Sequence, residues 1–392
     1  MRPLSKIEVS GKTVLVRADF NVPLSAQQQI TDDTRIRFVL PSIRHLIDQG
    51  ARVVLASHLG RPQGKPAPQF SLAPVAEHLS ELLEQPVDLA DDCVGPGRAD
   101  KIRQMNAGDV LLLENLRFHP GETDNDDDFA TALAENIDVY VNDAFAVSHR
   151  KHASVAAVTR HVPVRAAGFL LEKEINAYQS ALGRPDRPLL AIVGGAKVSS
   201  KLAALYNMLN NVNQLIIGGA MANTFLKARG TAVGRSKVEE DLVEEARAVM
   251  TAARKKNVDL YLPVDVAAAE SMDAKAAFQY TAAEKIPGES MALDIGPASV
   301  NMFSGVIRKA RTIIWNGPMG IFEMESFAAG TREIARAVAE TDAYTVVGGG
   351  DTVSAVQAAG MAERMSYIST GGGAFLTLME GKPLPGVAAL DD

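Results

Sequence analysis

The sequence predicts an α/β protein built of two doubly wound (Rossmann-like) parallel-sheet domains facing each other across a cleft. Three observations carry this. Short, almost continuously apolar runs recur along the 392 residues, the pattern of strands covered on both faces. Helical patterns separate them, and strand–helix alternation implies parallel sheets with helices on both sides. The length suits two or three domains, each able to bury its own core.

In the first half the strand runs are 13–17, 52–56, 110–113 and 139–141. In the second half they are 189–193, 214–217, 258–262, 312–315, 344–347 and 367–369. Helical patterns are expected over 34–49, 72–83, 129–136, 201–210, 239–255, 298–310 and 327–340. In the first of these, Ile36, Val39, Leu40, Ile43, Leu46 and Ile47 fall at helical spacing, Gly50 is a suitable stop, and Pro41 is expected to kink the helix. A boundary is expected near 162–173, with 170–181 as a helical connector.

The net charge is −7, with 47% apolar and 22% charged residues. These are ordinary globular values and argue against disorder. No apolar run approaches the ~20 residues of a membrane helix. The N-terminus lacks the apolar stretch of a signal peptide. The single cysteine, Cys93, cannot form an internal disulfide, so a reducing cytoplasm is expected. An acidic chain argues against broad nucleic-acid binding. All seven histidines lie between His45 and His161, and residues 1–172 hold 13 Arg and 5 Lys against 23 acids. Arginine suits bidentate contacts with carboxylate or phosphate.

Ligands of open α/β sheets bind at the carboxyl ends of the strands. In the first half those ends carry Asp19-Phe20-Asn21, Ser57-His58-Leu59-Gly60-Arg61, Glu114-Asn115-Leu116-Arg117 and, a few residues after Asn142-Asp143, His149-Arg150. Arg35 starts the first helix. If the strands are neighbours, Arg35, His58, Arg61, Arg117 and Arg150 converge on one anion-binding surface. The alternative is that each arginine pairs with a local acid.

In the second half the strand ends are glycine-rich. Gly194-Gly195-Ala196-Lys197-Val198-Ser199-Ser200-Lys201 is expected to open a helix, with Lys197 and Lys201 on one side of it. Gly348-Gly349-Gly350-Asp351-Thr352 and Thr370-Gly371-Gly372-Gly373 repeat the arrangement. Glycine lets backbone N–H groups approach a phosphate, and Asp351 suits a Mg²⁺ accompanying it. The alternative is that the glycines only make tight turns. Other patterns fall away. Gly11-Lys12-Thr13 lacks the upstream glycine of a P-loop, and no Gly-x-Gly-x-x-Gly follows a strand. Residues 124–128 lack the glycine and distal Glu of a calcium loop. His149-x-x-His152 has no third ligand nearby in sequence, and Cys93 has no activating partner there and reads as incidental.

An anion site in one domain and a phosphate site in the other suggest group transfer. A kinase fits, because phosphoryl transfer needs positioning and positive charge rather than covalent chemistry from the protein. The rivals are a dinucleotide-dependent dehydrogenase and a non-catalytic anion-binding protein. Seven motifs then carry a closer resemblance: 19–23 (Asp-Phe-Asn-Val-Pro), 57–62 (Ser-His-Leu-Gly-Arg-Pro), 114–118 (Glu-Asn-Leu-Arg-Phe), 194–198 (Gly-Gly-Ala-Lys-Val), 315–318 (Trp-Asn-Gly-Pro), 348–352 and 369–374. In this order, across essentially the whole chain, they resemble the phosphoglycerate kinases.

The resemblance implies reversible phosphoryl transfer from 1,3-bisphosphoglycerate to ADP, giving 3-phosphoglycerate and ATP, with Mg²⁺. It implies a phosphoglycerate-binding domain over 1–171, a nucleotide-binding domain over 172–375 and a C-terminal tail, 376–392, packing back on the first domain. It places Asp19, Asn21, Arg35, His58, Arg61, Arg117 and Arg150 on the phosphoglycerate, with Arg35 also facing the transferred group. Lys197, Lys201, Gly219, Asn316, Gly349, Gly350 and Thr352 fall on the nucleotide, Glu323 on the ribose and Asp351 on Mg²⁺. Lys197 and the helix start Gly371, Gly372 and Gly373 would stabilise the transition state. The resemblance further implies a monomer that binds neither nucleic acid nor membrane, with domain closure that excludes water. Two departures stand out: Ala146-Val147-Ser148 where the family commonly has Gly-Thr-Ala, and Ala292 where many members have glycine near the adenine.

Overall fold

The apolar runs of the first half form a six-stranded sheet: β1 (Thr13–Arg17), β2 (Arg52–Ala56), β3 (Val87–Leu89), β4 (Val110–Leu112), β5 (Val139–Asn142) and β6 (Val164–Ala167). Its order is β3-β4-β2-β1-β5-β6, and every pair is parallel. The central β1 is buried along its whole length, with Leu15 beside Val54 on one flank and Tyr140 on the other. Val14, Val16, Val53 and Leu55 pack against Ile36, Val39 and Ile43 of the helix Thr34–Asp48. Burying each such side chain stabilises by about 1.5–3 kcal/mol. The helix runs on through Pro41, whose face is exposed, so the carbonyl that loses its hydrogen bond can turn to water.

The computed structural model describes residues 1–391. The chain divides into Met1–Ile175 together with the segment from Pro383 onward, and Asn176–Lys382. The late segment belongs to the first unit through backbone and side-chain bonds. Asn142 Nδ2 donates to the Gly386 carbonyl at 2.9 Å, and Gly386 N donates to the Ser148 carbonyl at 2.9 Å. A β-carbon at Gly386 would strike Val155 and Asn142, so this close approach requires glycine.

The second unit contains β7 (Leu189–Val193), β8 (Gln214–Ile217), β9 (Asp259–Tyr261), β10 (Asp265–Ala269), β11 (Phe278–Ala282), β12 (Met291–Ile295), β13 (Thr312–Asn316), β14 (Tyr344–Gly348) and β15 (Tyr367–Ile368). The main sheet is parallel, with order β15-β14-β13-β7-β8-β9. From β7 the chain proceeds to β8 and β9 on one side, and β13 then lies on the other. The β7/β13 boundary is therefore the switch point where such sheets bind ligands.

Beside its parallel main sheet the second unit carries a smaller one that the sequence pattern does not announce: β11, β10 and β12 pair antiparallel. The run Asp-Val-Ala-Ala-Ala of β10 is buried but mostly alanine, a residue depleted in strands, and β11 is largely exposed, so neither stands out as a strand. Residues 194–201 lead into a helix, but one expectation needs correction: the helix begins only at Leu202, with Lys201 at its N-cap, and ends at Met208, so Lys197 and Lys201 share no helix face. Among the described residues no helix is long and apolar enough to cross a membrane.

Candidate active site

In the first unit the carboxyl ends of neighbouring parallel strands bring distant residues together. Asp19, just beyond β1, accepts from Arg35 Nη1 at 2.6 Å and from the Asn21 amide at 3.2 Å. Asn21 Oδ1 accepts from Gly60 N at 2.8 Å, and Arg117 Nη1 donates to the Gly60 carbonyl at 2.6 Å. One residue, Gly60, thus ties the loops after β1, β2 and β4. Arg61, Arg117 and Arg150 line one cavity of about 410 Å³ with Gly64, Pro120 and His152. Arg35 does not line this cavity; its guanidinium, paired with Asp19, is about two-fifths exposed.

The electrostatics show that these charges are close. Burial, and then the charges of Arg17, Arg117, Arg150 and Arg35, push His58 well below the ordinary imidazole range. Burial and the repulsion of Arg150 and Arg17 push Arg117 down to about 10. Arg150 is lowered by burial and by Arg61. This is a cationic cluster that its local acids leave under-neutralised.

Arg17, which sequence reasoning passes over, organises the cluster from below. It is fully buried in β1. Its Nε donates to Ser154 Oγ at 2.7 Å, and Nη1 to the Ala18 carbonyl. Its Nη2 lies 3.3 Å from His58 Nδ1 and 3.9 Å from Glu122 Oε1. A guanidinium can only donate, so His58 Nδ1 accepts and the proton sits on Nε2. Glu122 is also fully buried, and accepts from Ser154 N at 2.9 Å and Ser154 Oγ at 2.7 Å. Burial raises its carboxyl, but His152, Arg17 and Ser154 together hold it below the ordinary value.

In the second unit the switch point is laced by its own backbone. Gly194 N donates to the Asn316 carbonyl at 2.9 Å and Gly195 N to the Pro318 carbonyl at 3.0 Å. Gly219 has φ +67°, and a β-carbon there would collide with the Gly195 backbone. A cavity of about 280 Å³ opens here, lined by Lys197, Lys201, Asn316, Gly349, Gly350, Asp351 and Thr352. Asn316 Nδ2 donates to the Gly348 carbonyl at 2.9 Å, and Thr352 Oγ1 accepts from Gly317 N at 2.6 Å. Lys201 Nζ turns inward, donating to the Asn316 carbonyl at 3.1 Å and to Asn316 Oδ1. Burial pushes it down to about 8, against the opposing pull of Asp351.

Lys197 instead sits on an exposed turn. Glu239 holds that turn: its carboxylate accepts from Val198 N at 2.5 Å, Ser199 N at 3.1 Å and Ser199 Oγ at 2.6 Å. Gly371, Gly372 and Gly373 line neither cavity. They begin the helix Gly372–Met379, and Gly372 lies against Gly349 and Gly350, where a β-carbon would stand 3.6 Å from Gly349 Cα.

A second cavity of about 310 Å³ shares Gly195, Ala196, Pro318 and Asp351 with the first. Its walls include Val266, Met291, Ala292, Leu293, Met319 and Ile321, with Gly219 and the exposed Glu323 also lining it. Asp294 lines it too, a residue that sequence reasoning does not select. Its oxygens accept from Ile295 N and Gly330 N at 2.9 and 2.6 Å, and burial pushes it up to about 7.

A parallel sheet whose switch point holds a polar, glycine-lined cavity continuous with an apolar one is the design of a nucleotide-binding domain. With an arginine-lined anion pocket in the companion domain, the chain has the parts of a two-substrate kinase. Residues 4–382 match the family model described as Phosphoglycerate kinase. The phosphoglycerate kinase of Desulfosudis oleivorans is 62% identical over 391 residues, covering 100% of this chain and 99% of that protein. That of Geobacter metallireducens is 55% identical over 393 residues, covering 100% and 99%. The solved structure of phosphoglycerate kinase from Coxiella burnetii superposes with a TM-score of 0.92 at 42% identity, covering 99% of this chain and 98% of that one. This chain belongs to the phosphoglycerate kinase family.

Proposed function

We propose that the two sites divide one reaction: transfer of a phosphoryl group from 1,3-bisphosphoglycerate to ADP, reversibly, giving 3-phosphoglycerate and ATP. The observation that carries the substrate assignment is the under-neutralised arginine cluster around a neutral His58. A small substrate with an anionic group at each end supplies the missing charge. Arg61, Arg117 and Arg150 take its phosphate and carboxyl oxygens, Asp19 and Asn21 take its hydroxyl, and His58 donates from Nε2 as a neutral group. Arg35 faces the moving phosphoryl group.

In the second domain Lys197, Lys201, Gly349, Gly350 and Thr352 hold the nucleotide phosphates. The base enters the apolar cavity over Gly219, and Glu323 takes the ribose. The backbone N–H groups at Gly371, Gly372 and Gly373 add positive character beside Gly349 and Gly350. A β-phosphate oxygen of ADP attacks the acyl phosphate phosphorus, the bond to the carboxyl oxygen breaks, and the carboxylate leaves. The attacking oxygen is already anionic, so no side chain need act as base, and catalysis is positioning plus cationic stabilisation.

Asp351 is an exposed carboxylate on the lip shared by the two cavities. One carboxylate fits Mg²⁺, which binds through one or two such groups plus substrate phosphates. When bound, the ion neutralises phosphate charge. Asn316 acts indirectly, by holding Lys201 before nucleotide arrives.

A coupled assay tests the reading. ATP-dependent phosphorylation of 3-phosphoglycerate is expected with Mg²⁺ and not with a chelator; no turnover with both substrates and Mg²⁺ overturns it. Lys201 adds a pH signature. With its ammonium lowered to about 8 by burial, the free protein loses that proton as the pH rises through about 8. Nucleotide phosphates bind the charged form, so the KM for nucleotide should rise above pH 8, with proton uptake on binding. Lys201→Met should abolish this pH dependence. An unchanged pH profile in that variant would remove Lys201 from the phosphates.

A further inference from the structure

The one cysteine of the chain is not alone in the fold. β3 and β4 are neighbouring parallel strands, so the loops leaving their carboxyl ends lie side by side. The first loop carries Asp92 and Cys93. The second carries His119, directly after the turn Leu116–Phe118. One ligand atom of each residue, a carboxylate oxygen, the thiol sulfur and an imidazole nitrogen, lies within 4.8 Å of the other two. His119 Nε2 and the Cys93 amide both lie 2.6 Å from Asp92 Oδ1. The His119 ring is seated against Phe129, with centroids 5.3 Å apart. Cys93 is buried, whereas Asp92 and His119 are open to solvent on one side. Asp92 and the buried Glu122 add a negative field around the sulfur.

We propose that Asp92, Cys93 and His119 form a binding site for a borderline divalent transition metal of the Zn²⁺ class, separate from the kinase site. Donors of three kinds, sulfur, imidazole nitrogen and carboxylate oxygen, suit Zn²⁺ or Co²⁺, and a thiol is a poor ligand for Mg²⁺. Ligand bonds of about 2.0–2.3 Å in a tetrahedron place donor atoms roughly 3.3–3.7 Å apart. The trio reaches that spacing by small side-chain rotations: the Asp92–His119 hydrogen bond opens and the sulfur moves inward. Binding releases the thiol proton, and the fourth position faces solvent and takes water. Because Pro120, next to His119, lines the arginine pocket, an ion here pins the turn that carries Arg117.

Cobalt reads the site directly. A cobalt–thiolate bond gives a near-ultraviolet charge-transfer band, and only Cys93 can supply the thiolate. Titrating Co²⁺ into the metal-free full chain, without nucleotide, should give that band, saturating at one equivalent. Cys93→Ser should abolish it. His119→Gln and Asp92→Asn, at more accessible positions that should tolerate the change, should each weaken Co²⁺ at least tenfold. Zn²⁺ should displace Co²⁺ and bleach the band. No band in the native chain overturns the proposal. So does a band whose affinity is unchanged in both His119→Gln and Asp92→Asn, which would leave the three residues as a loop tie and the metal on sulfur alone. If Cys93→Ser does not fold, these two variants decide the matter.

Discussion

Arg35→Ala is expected to lower kcat about a hundredfold while leaving the melting temperature close to that of the native chain. Arg35 lies in the first turn of the helix Thr34–Asp48, and its guanidinium is about two-fifths exposed, so little packing depends on it. It donates to Asp19 Oδ2 at 2.6 Å. In the proposed reaction that guanidinium faces charge developing on the moving phosphoryl group. Losing one well-placed cationic contact there costs about 3 kcal/mol of transition-state stabilisation, a factor of roughly a hundred in rate. Arg35→Lys should fall between the two, since it keeps the charge and loses the fork. Steady-state kinetics with both substrates saturating make the measurement, and turnover within a few-fold of the native chain would exclude Arg35 from the transfer step.

Arg17→Met should act on folding rather than on one step. Met fills much of the volume but leaves the Glu122 carboxylate buried with its guanidinium neighbour gone. Breaking a buried pair from one side costs about 3–5 kcal/mol. For a protein of this size that corresponds to a melting shift of ~10 °C. Adding Glu122→Gln to Arg17→Met should recover part of the loss, because the orphaned charge goes with it. Denaturant unfolding of both single variants and the double one measures the coupling. A loss below about 1 kcal/mol for Arg17→Met would mean that the pair is not what holds this floor together.

The central strands are legible in the sequence because both their faces are covered. Val14-Leu15-Val16 and Leu190-Ala191-Ile192 can be read as strands without knowing the partner. β3 and β6 are the outer strands of their sheet, and β6 begins Val164-Arg165, half buried. A strand with one open flank need not be apolar throughout, so neither stands out. The antiparallel sheet is hidden for a related reason: one of its two outer strands, β11, is exposed and carries Gln279 and Thr281 among its aromatics.

The same logic separates the site residues. Arg61, Arg117, Lys197 and Asp351 follow strands within a few residues, so strand-end position alone selects them. Arg17 lies inside a strand, where a charge reads as an exposed edge, and its partner Glu122 is far away in sequence. Glu239 is legible only once its carboxylate is seen to close on Val198 and Ser199. What escapes is the support beneath the site, because its partners are set by the tertiary fold and by no local spacing.

The return of Gly386 to Asn142 and Ser148 has a consequence for biosynthesis. The second unit is an insertion within the first, so the unit whose strands leave the ribosome earliest receives its last residues only after the other has been translated in full. Until then the Asn142 amide and the Ser148 carbonyl lack their partners in that segment. The unit begun first is therefore completed only by a segment that is translated after the second unit.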